Sequence, residues 1–324
     1  MPAVAKGQKM SSGGKEIILK EINPLCWQEI LASSFEGLFI IDREKNILFW
    51  NKSAEIISGF QGSEVIGRKC SDKILAPINE EGRPLCLELC PINNASSHLA
   101  QQDLELYIHH REGYRLPVVM KIISLKNLAQ EIIGTAHLFM DMSPRLSLPP
   151  RLDDLSRLDL IDPLTSTGNR KFLQLYLQSR LQEMQKFGLS FGVLYIDVDR
   201  LAEINDLFGR ATGDRLLAAI AKTLLNNLRF VDVLGRWEDD AFLAIVANVN
   251  EVKLDVVANK LRLLAQNSFI FTNGLSVSTT VSIGATMARR RDTIKEIISR
   301  AEKLMLHSKW LGRNRVSSRL TTGA

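Results

Sequence analysis

No apolar run in this 324-residue chain reaches the roughly 18 residues that a membrane-spanning helix needs. The first 20 residues lack the apolar core of a secretory leader. They are rich in Lys, Gly and Ser instead, which predicts a flexible tail on a cytoplasmic protein. Only four cysteines are present, and such a protein keeps them reduced by default. Aromatics are scarce at 6%, and neither an aromatic-interleaved basic groove nor a DNA-binding motif occurs, so nucleic acid is not an expected partner. Neither sign of charge dominates: 41 basic and 36 acidic side chains leave a net +5. Basic residues gather near the end, at Arg289, Arg290, Arg291, Lys295, Arg300, Lys303, Lys309, Arg313, Arg315 and Arg319. They read either as a solvated helix face or as contacts to phosphate.

What is present is the composition of a folded protein, 45% apolar and 24% charged, with a length that suggests two domains. In the first half, Gly37 to Ile41 and Ile47 to Trp50 predict a strand pair. Short helical pieces follow near 53–57 and 63–66. Three further strands are expected over 104–110, 114–125 and 132–141. Two strands, small helices and three strands predict a curved antiparallel sheet wrapped over a cavity. His109 and His110 are neighbours on a strand, so one of them should face outward.

Three prolines between Ser143 and Pro150 bar a continuous helix and mark a linker, followed by a short leucine-bearing amphipathic helix over 151–160. The second half alternates. Helices are expected over 171–186, 214–228, 251–265 and 293–311, and strands over 191–196, 231–237, 242–246 and 276–286. This makes an α+β sandwich with a mostly antiparallel sheet.

Two constellations in that half carry chemistry. Asp197-Val198-Asp199 closes an apolar strand, and Asp240 sits at the tip of the hairpin Gly235 to Phe242. Carboxylates at two strand ends can share Mg²⁺, which takes one or two carboxylates plus substrate phosphates. Strand-end aspartates also simply cap turns. Asn205 and Asp214 could read a purine edge, the amide giving and taking hydrogen bonds while the carboxylate accepts two N–H groups. Asp214 could equally be the N-cap of the helix that follows. The hairpin turn is Glu238-Asp239, where a tight turn beside phosphate would favour glycine.

The first half resembles the PAS sensor fold over about residues 26–143, on Gly37-Leu38-Phe39-Ile40-Ile41-Asp42, Phe49-Trp50-Asn51, Gly67 and Phe139-Met140-Asp141-Met142-Ser143. The second half resembles the GGDEF domain of the diguanylate cyclase family over about residues 160–319. The residues that carry this likeness are Asp162-Pro163-Leu164-Thr165, Asn169-Arg170, Asp197-Val198-Asp199, Ile204-Asn205-Asp206, Gly209 and Gly213-Asp214. They continue with Asp232, Arg236, Val281-Ser282-Ile283-Gly284-Ala285, Lys309, Gly312-Arg313-Asn314 and Val316. The resemblance implies a ferredoxin-like, palm-type sandwich and these boundaries: a tail at 1–24, PAS at 25–143, linker and helix at 144–160, GGDEF at 161–320.

By the same resemblance, Asp197 and Asp240 would be the metal carboxylates, with Asp240 also catalytic. Asn205 and Asp214 would recognise guanine, and Lys309 and Arg313 would hold the triphosphate, Arg gripping phosphate in a fork. Arg229-Phe230-Val231-Asp232 matches the family's inhibitory RxxD site, so Arg229 and Asp232 would bind cyclic di-GMP. An active member joins two GTP across a homodimer, mostly by alignment and charge stabilisation.

The signature itself departs from the family: Glu238-Asp239-Asp240-Ala241-Phe242 stands for GGDEF. Both glycines and the fourth-position glutamate are replaced. Ala202 stands where a phosphate-facing Lys is usual, and Arg210 where His is frequent. At about 5 Å and an effective dielectric near 20, each added carboxylate repels a phosphate charge by about 3 kcal/mol before screening. Three readings follow: a degenerate domain that binds cyclic di-GMP or GTP and signals to a downstream protein, an active cyclase using Mg²⁺, and a dimerisation or docking module without nucleotide. The sequence does not identify a PAS ligand. Cys70, Cys86 and Cys90 lie within 21 residues as possible sensor thiols. With His98 they could hold a metal, although their spacing equally suits free half-buried thiols. Trp27 and Trp50 are expected to pack rather than to contact a flavin.

Overall fold

The computed structural model of the protein describes residues 34–85, 103–143 and 159–318. Cys86, Cys90, His98, Trp27, the linker and the expected helix up to residue 158 lie outside the described residues.

The first half is a five-stranded antiparallel sheet in the order β2-β1-β5-β4-β3, built from β1 (Gly37–Asp42), β2 (Ile47–Trp50), β3 (Leu104–His109), β4 (Arg115–Lys126) and β5 (Ile132–Asp141). Two short helices, α1 (Lys52–Ser58) and α2 (Gly62–Val65), follow β2. Asn51 fixes this start. Its buried side chain accepts from the Leu38 amide at 2.9 Å and caps α1 by accepting from the Ala54 amide at 2.8 Å. Phe39, Ile41, Trp50, Ile108, Met120 and Phe139 form the core. Trp50 packs there, as expected.

Both neighbouring histidines are buried, which corrects the expected alternation. β3 ends at His109 and His110 already belongs to the turn, so the period of two stops between them. His109 is covered by Phe269 of the second half, with rings stacked at 3.8 Å. His110 stacks on Tyr114 at 4.1 Å.

The second half has a five-stranded sheet, β12-β11-β6-β8-β7, antiparallel except for the short β11–β12 pair. Its strands are β6 (Phe191–Val198), β7 (Val233–Arg236), β8 (Ala241–Ala247), β11 (Val281–Met287) and β12 (Val316–Ser317). β6 and β8 are buried along their whole length, consistent with their continuous apolar runs. The helices are α3 (Arg170–Phe187), α4 (Leu201–Phe208), α5 (Arg210–Asn226), α6 (Glu251–Gln266) and α7 (Ile294–Trp310).

Two sequence expectations change, and one helix is added. α5 begins at Arg210 with Gly209 as its N-cap, so Asp214 lies inside the helix and does not cap it. The expected strand 276–286 is two strands: β10 (Leu275–Ser278) turns away at Thr279 and pairs with β9 (Phe269–Thr272) in a separate hairpin. α4 was not foreseen; it begins after Arg200, which takes a left-handed φ of 55°.

The PAS core does not stop at its own boundary. Ile204, Leu216, Ala219, Ile270 and Val277 of the second half belong to the same apolar cluster.

Candidate functional site at the acidic strand ends

β6 and β8 pair so that Asp197 lies directly opposite Ala241, and the Val198 amide donates to the Asp240 carbonyl at 3.0 Å. This register brings the two expected metal carboxylates to one sheet end. α7 returns over that end and places Lys309 Nζ 2.5 Å from Asp197 Oδ1. The contact is a close ion pair in which Lys309 faces a buried Asp197 carboxylate. Burial pushes the Asp197 carboxyl up to about 6; Lys309 opposes the shift and the charge of Asp240 adds to it. A buried carboxylate with a lone pair to give, beside a second carboxylate, suits a hard divalent cation. Among the described residues no set of three or more His, Cys, Asp or Glu side chains is arranged for a metal. A cation here would therefore rely on substrate oxygens and backbone carbonyls as well.

Asp199 plays a different part from Asp197. Its carboxylate accepts from Thr280 Oγ1 at 2.6 Å, Ser282 Oγ at 2.7 Å and the Asn314 amide at 3.2 Å. It is a staple that pins the loop 312–315 against the sheet. On that loop Arg313 is exposed, with φ at 63°. Thus Asp197, Asp240 and Lys309 converge, and Arg313 is carried by a loop held from below by Asp199.

The signature turn needs no glycine. Glu238, Asp239 and Asp240 are absent from the positive-φ residues, so L side chains sit there without strain. The added charge of Glu238 is also turned to partners, and the Asp239 backbone is braced. Glu238 faces Arg170 at 3.8 Å and accepts from the Tyr195 hydroxyl at 3.4 Å, while Arg170 lies over the Trp237 ring at 4.4 Å. Arg236 donates to the Asp239 carbonyl at 2.7 Å and pairs with Asp162 at 3.2 Å. Sequence reasoning missed these bracing roles of Arg170, Tyr195 and Arg236. A signal existed for Tyr195: it stands two residues before Asp197, on the same face of β6. No side-chain carboxylate occupies the fourth signature position: the residue is Ala241, 2% exposed at the start of β8.

Asn205 on α4 lies against Gly213 on α5. A Cβ at Gly213 would come 1.7 Å from Asn205 Oδ1, so only glycine admits that approach. Asn205 Oδ1 is itself buried without a hydrogen-bond partner. Asp214 is the next residue on α5 and is exposed. Arg229 and Asp232 lie past the other end of α5, a helix about 25 Å long. Asp232 is buried; Oδ2 accepts from the Arg229 amide and Oδ1 from the Ala247 amide, each at 3.0 Å. The Arg229 side chain is exposed, so the two residues share a turn while facing different surroundings.

The PAS half holds a second candidate, an apolar cavity of about 70 Å³ bounded by residues including Phe39, Trp50, Cys70, Leu75 and His137. His137 stacks on Phe39 at 4.4 Å and contacts Thr135 Oγ1 through Nε2; its buried Nδ1 has no partner. Of the three sensor thiols only Cys70 is described, half-buried on this wall.

Comparison with known proteins agrees with this architecture. Residues 159–315 match the family model described as "Diguanylate cyclase, GGDEF domain", and residues 27–142 match "PAS fold". The diguanylate cyclase DosC of Escherichia coli K12 is 25% identical over 246 residues, covering 68% of this chain and 54% of DosC. The probable diguanylate cyclase DgcE of the same organism is 26% identical over 306 residues, covering 92% of this chain and 27% of DgcE. The chain thus spans about half the length of the first relative and about a quarter of the second. The response regulator PleD of Caulobacter vibrioides is 30% identical over 169 residues, 51% of this chain and 37% of PleD. Among solved structures, the diguanylate cyclase SiaD of Pseudomonas aeruginosa, in complex with its activator SiaC, is 26% identical. Its TM-score is 0.48, over 52% of this chain and 71% of SiaD. No helix among the described residues is long and apolar enough to cross a membrane. The chain is a PAS domain followed by a GGDEF domain of the diguanylate cyclase type.

Proposed function

We propose that this protein is a cytoplasmic sensor–effector of cyclic di-GMP signalling, in which the PAS half governs a GGDEF half that binds cyclic di-GMP or GTP and turns over weakly or not at all. The observation that carries the reading is Ala241. The strand-end site keeps Asp197, Asp240 and Lys309 together, yet the position facing Asp197 across β6 and β8 holds a buried methyl group instead of a carboxylate. Binding machinery is present and one catalytic carboxylate is missing. Asp197 and Asp240 would hold Mg²⁺, which when bound with GTP neutralises phosphate charge. Lys309 and Arg313 would take the triphosphate, and Asn205 and Asp214 the guanine edge. The exposed Arg229 would grip cyclic di-GMP, with Asp232 chiefly fixing the turn that presents it. A homodimer is the expected working form, since each GGDEF domain would present one nucleotide.

A second reading, an active cyclase, has one observation in its favour: Glu238 is paired with Arg170 and Tyr195, which removes part of the repulsion expected against phosphate. One assay separates the two. The full chain is incubated with GTP and Mg²⁺ and assayed for cyclic di-GMP, with calorimetry of cyclic di-GMP binding alongside. The binder reading expects little product and measurable affinity that weakens at least about tenfold in Arg229→Ala. Robust product that disappears in Asp240→Ala would establish the cyclase. Absence of binding to either nucleotide would leave a docking module.

A further inference from the structure

The two halves are joined by more than the chain between them. The turn between β3 and β4 inserts against α5, the end of α6 and the β9–β10 hairpin. At its end Arg115, the first residue of β4, is 3% exposed. Its amide donates to Thr223 Oγ1 at 3.0 Å, and its carbonyl accepts from Asn227 Nδ2 at 3.3 Å. Its guanidinium donates from Nε to the Asn267 carbonyl at 2.9 Å and from Nη1 to the Ala76 carbonyl at 2.6 Å. One buried cation is therefore shared between a carbonyl of each half. A buried charge tolerates little loss of such partners, so the positions of Ala76 and Asn267 are coupled.

The neighbouring contacts have the same character. The Phe269 amide donates to the Gly113 carbonyl at 3.2 Å, and Glu112 pairs with Lys222 at 3.0 Å. Gly113 has φ at 100°, and a Cβ there would meet Ile270 Cγ2 at 2.5 Å and the Phe269 carbonyl at 2.7 Å. The turn is shaped for this approach.

The segment 74–78 stands between that contact and the PAS cavity. Ile74, Leu75 and Pro77 line the cavity. On the other side, the Leu75 carbonyl accepts from the His109 amide at 2.6 Å, and the His109 ring lies on Phe269. The Ala76 carbonyl holds Arg115, and Ile78 packs with Tyr107 on Leu264 of α6. Five consecutive residues thus form a wall with the cavity on one face and the GGDEF half on the other.

We propose that segment 74–78 is a strut that transmits occupancy of the PAS cavity through Arg115 and the β3–β4 turn into α5 and the β9–β10 hairpin, independently of the linker. Packed walls respond to added bulk by discrete shifts, not by smooth compression. α5 carries Gly213 under Asn205, and Ile204 shares the joint core, so the shift arrives at the proposed guanine site. The strut acts whether or not the GGDEF half makes or binds nucleotide.

Amide hydrogen exchange on the full chain tests it without nucleotide. Ile74→Phe adds bulk at the cavity wall. It is expected to change exchange in residues 219–227 and 269–278 by about twofold to fivefold, the range of a modest local free-energy change. In an Arg115→Met background the same substitution should alter only the PAS half. An effect of Ile74→Phe confined to the PAS half with Arg115 present, or one that passes undiminished through Arg115→Met, overturns the strut. If Arg115→Met loses the native melting transition, the exposed pair carries the test. Lys222→Glu should raise exchange in 269–278 by about twofold to fivefold and Glu112→Lys should restore it. No rise would overturn the proposal.

Discussion

Asp197 and Asp199 look alike in the sequence, two carboxylates at one strand end, and the structure gives them opposite work. Asp197 is an ion-paired acceptor at the site; Asp199 holds three donors that lie 80 or more residues later. That division was not legible, because the partners of Asp199 are set by the β6–β11 register and the return of loop 312–315. Asp199→Ala should cost roughly 3–5 kcal/mol in denaturant unfolding, since it strands buried hydroxyls and an amide that now donate to a charge. Asp197→Asn should not lower stability at neutral pH, because its carboxylate is already disfavoured by burial. It should nonetheless abolish Mg²⁺-dependent GTP binding in calorimetry. Undiminished binding would remove Asp197 from the site. The signature turn invites the converse experiment. Glu238→Gly, Asp239→Gly and Ala241→Glu together should raise cyclic di-GMP formation at least about tenfold if the turn alone limits turnover. No gain would move attention to Ala202 or to dimer geometry.

At the scale of elements, legibility followed periodicity. Strands β1 to β5 and helices α3, α6 and α7 have clear apolar patterns and fall within a few residues of expectation. The failures have two causes. The apolar pattern runs from residue 276 to 286 with no glycine or proline between β10 and β11, so nothing local marks the break at Thr279. The break exists because β9–β10 covers the PAS half, a long-range demand. The helix α4 and the true start of α5 were hidden because Gly209 reads as a loop residue, whereas here φ at 84° lets it cap one helix and open the next. The α4–α5 contact yields its own prediction. Gly213→Ala would drive a methyl group into Asn205 Oδ1 and force the amide out. GTP affinity through that site should fall at least about tenfold, with a stability loss of about 1–3 kcal/mol from overpacking. Unchanged guanine-nucleotide affinity would show that Asn205 does not read the base.

The whole molecule carries a pH dependence that no single domain reveals. Burial holds His109 down to about 2, His110 to about 4 and His137 to about 3, and all three are neutral in the native protein. In the unfolded chain each takes up a proton near pH 6.5. Their folded pKa values lie below the unfolded one, so stability is full above about pH 7 and is lost as pH falls toward 4. Asp197 acts in the opposite sense: burial lifts it to about 6, so the native state gains a proton there before the unfolded chain does. Between pH 5 and 6.5 unfolding should therefore take up about two protons net, three from histidine less about one from Asp197. That corresponds to roughly 3 kcal/mol of stability lost per pH unit. Denaturant unfolding of the full chain at pH 5.5, 6.5 and 7.5 measures the slope. His109 distinguishes this account from a general acid effect, because both its ring nitrogens are buried without partners and its ring stacks on Phe269. His109→Phe keeps the stack and removes the two unsatisfied atoms. It should raise stability at neutral pH by about 1–2 kcal/mol and reduce proton uptake by about one. A slope that His109→Phe leaves intact would mean that His109 is not buried against the second half, and the joint core inferred between the two domains would lose its central contact.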